Sequence, residues 1–228
     1  MGLLDLPTEL RIHIFSYLPD FHPGRTETVG PNVRITPAIC RISRRLREEA
    51  LPLYAKTASF SIQTDDDVHS QNSRMSIWLD ALSPEALALV HSLQLSRHWQ
   101  IQQPSRWQGH VGFYVRLQRL RTAWLFIAGT YPIANDVRGM RAESVELLRS
   151  VVERRGVGEK GLVRGDVEFV VAAMEIVAEH PVPAFDVEQS EEEGRRRKGV
   201  WRIMERGLAE LGSGDVEDVS TRPFFTPY

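Results

Sequence analysis

The first apolar pattern of the chain predicts a short helix over residues 3–19. An apolar residue stands at every fourth position, and this spacing places the side chains in one row along a helix. The row consists of Leu6, Leu10, Ile14 and Leu18. Phe15 and Tyr17 widen the row into a broad apolar face. Because so short a helix cannot bury this face alone, we expect it to pack on the rest of the chain or on a partner.

A second helix is expected over residues 36–54. Thr36 and Pro37 have the residue types of a helix N-cap and a first helical position. The apolar residues then step by three or four positions, as they do on one face of a helix; they are Ile39, Ile42, Leu46, Ala50 and Leu53. Since proline lacks a backbone N–H, Pro52 predicts the end of this helix or a bend near it.

The two apolar faces are expected to meet, which predicts a small helical module over residues 1–56. Between the two helices, residues 21–36 contain two glycines and two prolines and show no periodicity, so they are interpreted as a loop insertion.

Beyond residue 57 the pattern alternates between strands and helices. Strands are predicted at 58–62, 90–96 and 111–117, with a loop at 100–110. A continuous apolar run at 123–128 favours a buried strand, although a helix from Leu117 onward also satisfies it. Helical spacing predicts a helix at 74–82, another after the Ser83 cap, and three more beyond Gly129.

These elements predict an α+β fold, in which the N-terminal helical module is followed by a small, mostly antiparallel sheet packed with several helices. The α+β domain spans residues 57–212, and residues 213–228 form a C-terminal tail that docks or extends freely.

The two N-terminal segments together resemble a large fungal group of F-box-like proteins. The first segment has the Leu6-Pro7 start of the F-box pattern, followed by Glu9-Leu10-Arg11 and by an apolar run that ends at Leu18. The second segment, residues 37–62, matches the group at Cys40-Arg41, Glu49-Ala50-Leu51-Pro52, Tyr54 and the strand around Phe60. Downstream of it, Trp78-Leu79 and Leu93 with Leu95 are similar to a helix and a strand of the same group. The resemblance covers roughly the first 100 residues.

The resemblance implies a non-enzymatic adaptor that binds Skp1, the adaptor subunit of a cullin–RING ubiquitin ligase. The residues that it assigns to Skp1 binding are Leu4, Leu6, Pro7, Leu10, Ile14 and Leu18. Residues beyond 57 would then present a protein substrate, whose identity the sequence does not indicate. Two alternatives stay open: a stand-alone fungal protein whose F-box-like helices are structural and serve an interaction or regulatory role, and an enzyme with an unrecognised site.

Charge and composition favour neither nucleic acid nor membrane as a partner. The formal net charge is −2, so no overall field attracts an anionic surface. No segment approaches the roughly 20 apolar residues of a membrane span, and no signal peptide is recognisable. The single cysteine, Cys40, allows no intramolecular disulfide. A cytoplasmic or nuclear location is therefore expected.

No motif of the sequence predicts a reaction, a metal or a cofactor. The histidines are scattered without metal-ligand spacing, and no phosphate-binding glycine loop or nucleophile elbow occurs. Cys40 lies beside an apolar helical face, which favours a buried thiol over a catalytic one. The basic run Arg195 to Lys198 resembles a nuclear address, but glutamates at 191–193 favour an exposed helix start instead.

Overall fold

The computed structural model describes residues 2–29, 36–64, 74–102, 108–120, 123–132, 142–158, 161–179 and 191–213. The helices are α1 (Thr8–Ser16), α2 (Arg44–Thr57), α3 (Arg74–Ala81), α4 (Pro84–Leu89), α5 (Ala142–Arg155), α6 (Arg164–Glu179) and α7 (Glu191–Ser213). The strands are β1 (Thr26–Val29), β2 (Ser59–Gln63), β3 (Ser92–Gln102), β4 (Gln108–Leu120) and β5 (Ala123–Pro132). Short 3-10 turns occupy Leu3–Asp5, Pro19–Phe21 and Ala38–Arg41.

The described strands form one mixed sheet in the order β1-β2-β3-β4-β5. The α+β class predicted from the sequence is confirmed. The sheet is mixed, so the expected antiparallel pairing holds for only part of it: β1 pairs with β2 and β2 with β3 in parallel. Parallel neighbouring strands need a crossover connection. Along the chain, α2 connects β1 to β2, and α3 and α4 connect β2 to β3. Among the described strands, antiparallel pairing is confined to β3 with β4 and β4 with β5.

The interpretation of residues 21–36 as a loop is wrong where β1 forms. Thr26 pairs with Ser59 and Val29 with Ile62, so this segment is the edge strand of the sheet. Four residues are too few to show a clear alternation, which is why the pattern was hidden in the sequence.

The second predicted helix is divided in two. A 3-10 turn ends at Arg41, and α2 begins after Ser43, whose hydroxyl accepts a hydrogen bond from the Leu46 N–H at 3.2 Å. Ser43, and not Thr36, is therefore the N-cap, since serine at this position satisfies an otherwise unpaired N–H. The division turns Ile42 away from the core and leaves it 69% exposed, contrary to its predicted place on the apolar face.

Pro52 lies inside α2 and does not end it, so of the two alternatives predicted for this proline the helix end is wrong and the bend stays a prediction. The helix continues to Thr57, and Leu51, Tyr54 and Ala55 are all buried on either side of the proline. Burial of these side chains offsets the lost hydrogen bond, because tertiary packing contributes most of the stability of a helix in a protein.

The other predicted elements are confirmed with changed bounds. The strand at β2, the helix α3, the Ser83 cap of α4 and the three C-terminal helices are all present. The run from Ala123 forms a strand, as favoured. The loop predicted at 100–110 is wrong at 100–102 and at 108–110, because β3 and β4 stay paired to Gln102 and Gln108. Residues 103–107 lie outside the described residues. The predicted tail beyond 213 lies outside the described residues.

A chain of aromatic rings links the N-terminal helices to the sheet. Successive centroids lie 5.3–6.3 Å apart along Phe15, Phe21, Tyr54, Phe60 and Trp78. All five side chains are at most 2% exposed. The chain therefore runs from α1 through α2 and β2 to α3 as one buried cluster. The boundary between residues 56 and 57 stays a prediction, and apolar residues from both of its sides share this core.

Within the part of the chain that the structure describes, no helix combines the length and apolar character that a membrane crossing requires.

We predict that Phe60→Ala lowers the free energy of unfolding by about 3–5 kcal/mol, because a buried phenylalanine loses its contacts and leaves a cavity. Phe60 contacts rings on both sides and is 1% exposed. Urea unfolding followed by far-UV circular dichroism measures this loss. Ile42→Ala is the matched control, since Ile42 is exposed and its truncation should change the free energy by less than about 0.5 kcal/mol. Equal effects of the two variants would contradict the assignment of Phe60 to the core.

Candidate functional site

Helix α1 presents large apolar side chains to solvent. Leu10 is 50% exposed, Ile14 is 40% exposed and Tyr17, directly after the helix, is 70% exposed. They follow one another at four and three positions, so they lie on one side of the helix. We call these three residues the α1 face. The turn before the helix adds Leu4, which is 45% exposed.

The residues that the resemblance assigns to Skp1 binding therefore differ in their exposure to solvent. Leu4, Pro7, Leu10 and Ile14 are exposed, whereas Leu6 and Leu18 are half-buried. Leu18 packs on the hydrophobic core. The row of four residues predicted from the sequence is interrupted at Pro7, because Leu6 precedes the helix in extended conformation and Thr8 begins it.

A different side of α1 is buried in the core. Phe15 is fully buried and stacks on Phe21 with ring centroids 6.2 Å apart. The expectation that Phe15 widens the row of Leu10 and Ile14 is wrong, since Phe15 points into the core and those two residues point outward. Helix α1 is thus apolar on two sides, of which the protein itself covers one.

A buried arginine fixes α1 to its surroundings. The Arg11 side chain is fully buried, and its Nε and Nη2 atoms donate to the two carboxylate oxygens of Glu49 in α2 at 2.7 and 2.5 Å. Nη1 donates to the carbonyl oxygens of Leu6 and Leu4, and Nη2 also donates to Thr8 Oγ1 at 2.9 Å. A two-pronged pair of this kind has the geometry in which guanidinium and carboxylate bind most strongly.

The pair changes the proton affinity of its carboxyl group. The hydrogen bond from Arg11 lowers the pKa of Glu49, and burial opposes this shift to a smaller extent. Because the pKa is lower in the folded protein than in the unfolded chain, the pair stabilises the fold at neutral pH. That stabilisation is lost as the pH falls through the pKa of folded Glu49.

Arg11 and Glu49 belong to two separate sequence motifs, and neither motif predicted that the two side chains pair. A charged residue on a mostly apolar helix was the available signal, because a charge facing the core needs a partner of opposite sign. The sequence offered Glu48 and Glu49 equally, and only the position of α2 distinguishes them: Glu48 is exposed and pairs with Arg44.

A small polar cavity of about 180 Å3 lies between the 3-10 turns, β1 and α2. On its wall, Arg25 donates to Asp20 at 2.6 Å and forms an ion pair with Glu27 at 2.5 Å, and Tyr54 and Arg41 line the cavity as well. Desolvation raises the pKa of Glu27, and Arg25 opposes this shift. The carboxylates of the cavity are thus already paired. Across the described residues, no three histidine, cysteine or carboxylate side chains cluster as metal ligands would.

Cys40 is buried, as expected from its place beside an apolar face, and carries a free thiol. Burial raises the pKa of the thiol to about 11. The thiol therefore stays protonated at neutral pH, and a protonated thiol is a poor nucleophile.

Comparison with known proteins finds no matching family model, no matching curated protein and no matching solved structure.

We predict that Cys40 makes stability depend on pH in the alkaline range. The folded protein keeps the thiol proton that the unfolded chain releases above about pH 9, so the stabilisation is lost between about pH 9 and 11. At pH 10 the wild type should lose on the order of 1 kcal/mol more, relative to pH 8, than Cys40→Ala does. Urea unfolding at both pH values measures the difference. An identical loss in both proteins would show that the thiol is not the group responsible.

Proposed function

We propose that this chain is a non-enzymatic protein-interaction adaptor that acts in the cytoplasm or nucleus. Its F-box-like N-terminal helices bind a Skp1-like adaptor of a cullin–RING ubiquitin ligase, and residues 57–212 present a protein substrate. The partner follows from the resemblance of roughly the first 100 residues to fungal F-box-like proteins.

The distribution of exposed apolar side chains carries the proposal. Of the eleven exposed large apolar residues in the described part of the chain, five lie between Leu4 and Tyr17. The other six are spread from Ile42 to Ile203. Single exposed apolar residues are normal on a protein surface, whereas a cluster marks an interaction site.

The geometry of this cluster suits a groove on a partner. An amphipathic helix commonly binds by laying residues spaced at three and four positions into an apolar groove. Leu10, Ile14 and Tyr17 have this spacing and lie on the side of α1 that the core does not cover.

A second candidate is a stand-alone protein whose F-box-like helices are structural. The burial of Phe15 and Arg11 favours it, because α1 contributes to the core of the molecule through these two side chains. The two candidates differ in what happens to the α1 face: the adaptor covers it with Skp1, and the stand-alone protein leaves it free or uses it for another partner.

We predict that Leu10→Ser combined with Ile14→Ser weakens Skp1 binding by at least about tenfold, because two apolar anchors are removed from the contact. Leu6→Ala combined with Pro7→Ala should likewise abolish capture. Co-expression with Skp1, affinity capture and size-exclusion chromatography give a one-to-one complex for the wild type. Far-UV circular dichroism should show that the helical signal of each variant is retained.

The matched control is Ile42→Ser combined with Ile77→Ser. These residues are 69% and 44% exposed and lie outside the cluster between Leu4 and Tyr17, so Skp1 binding should stay at the level of the wild type. Capture of the first variant at wild-type strength would contradict the adaptor, as would a wild-type chain that elutes alone. The latter result would favour the stand-alone protein.

A further inference from the structure

The apolar residues before and within α1 belong to two separate backbone segments. Leu4 lies in a 3-10 turn, and Leu10 lies in α1. Leu6 and Pro7 between them have extended ψ angles of 150° and 149°, so no continuous helix holds the two segments in register. Another contact must set their relative position.

Arg11 supplies this contact. Its Nη1 atom donates to the carbonyl oxygen of Leu6, within the break, and to that of Leu4, on the far side of the break from α1. Its remaining donors reach Glu49, which lies in α2, and Thr8, which begins α1. One guanidinium thus joins the turn, α1 and α2.

The chemistry of this junction requires arginine. Five N–H donors in a planar fork allow one side chain to bind both oxygens of a carboxylate and to reach backbone carbonyls as well. A lysine ammonium has three donors on a flexible stem and cannot repeat this arrangement.

We infer that Arg11 is a positioning residue of the partner-binding surface, which fixes the position of Leu4 relative to α1 before a partner arrives. Glu49 is its anchor in α2. This inference deepens the proposed function and rests on it for the identity of the partner. A surface that is ordered in advance binds more tightly, because fewer groups lose conformational freedom on association.

The first test is a double-mutant cycle on Skp1 affinity. Leu4→Ala should weaken binding of the wild type several-fold, and it should weaken binding of Arg11→Lys much less, because Leu4 is no longer held in place there. Ile14→Ala should cost the same factor in both backgrounds, since α1 itself holds Ile14. Additive effects for both pairs would overturn the inference.

A second variant separates positioning from general destabilisation. Glu49→Gln keeps the shape of the anchor and removes its charge, while Glu48→Gln makes the same change at the exposed neighbour that pairs with Arg44. Affinity should fall several-fold for Glu49→Gln and stay unchanged for Glu48→Gln, at a temperature where both proteins are fully folded. Equal affinities of the two variants would contradict the role of Glu49.

Hydrogen exchange tests the positioning without any partner. The N–H groups of Asp5 and Leu6 bond to the carbonyl oxygens of Gly2 and Leu3 at 3.0 and 3.3 Å in the turn that Arg11 holds. In Arg11→Lys, these two N–H groups should exchange faster by a larger factor than the N–H of Phe15 in α1. A uniform acceleration would overturn the inference. If Skp1 fails to bind the wild type, this result still decides whether Arg11 orders the turn, and the failure then belongs to the proposed partner.

Discussion

The structure of the N-terminal region depends on one buried charge, that of Arg11, and on the groups that neutralise it. A guanidinium removed from water is costly unless a carboxylate and further acceptors replace the lost hydration. Here Glu49 accepts two of its hydrogen bonds, and the carbonyl oxygens of Leu6 and Leu4 accept others. Because these acceptors come from different elements, satisfying the charge also sets the positions of the turn, α1 and α2 relative to one another.

Around this polar junction, the aromatic chain from Phe15 to Trp78 carries the packing into the sheet. The strands β1, β2 and β3 can pair in parallel because α2, and then α3 and α4, return the chain to the same end of the sheet. Helix α1 is therefore part of the core through Phe15 and Arg11, and it remains open on the side of Leu10 and Ile14.

Local sequence patterns correctly predicted those elements whose tertiary contacts favour the same structure. The spacing of Met75, Trp78 and Leu79 gave α3, and Ser83 before a proline gave the start of α4. Predictions failed where a tertiary contact decides between local alternatives. Thr36 and Ser43 are both suitable caps, and the packing of Leu46 and Ala50 selects Ser43. The strand β1 exists because β2 lies beside it, which no pattern within four residues can indicate.

The candidate site shows the same limit. A row of apolar residues predicted that α1 packs on something, but periodicity does not distinguish a side that faces the core from one that faces solvent. The distinction comes from Arg11, because a paired buried charge fixes which side of the helix turns inward. With Arg11 and Phe15 directed to the core, the helical geometry leaves Leu10, Ile14 and Tyr17 on the surface. The exposure of the α1 face is thus a consequence of burying Arg11, so the charge that stabilises the fold also determines which apolar residues are available to a partner.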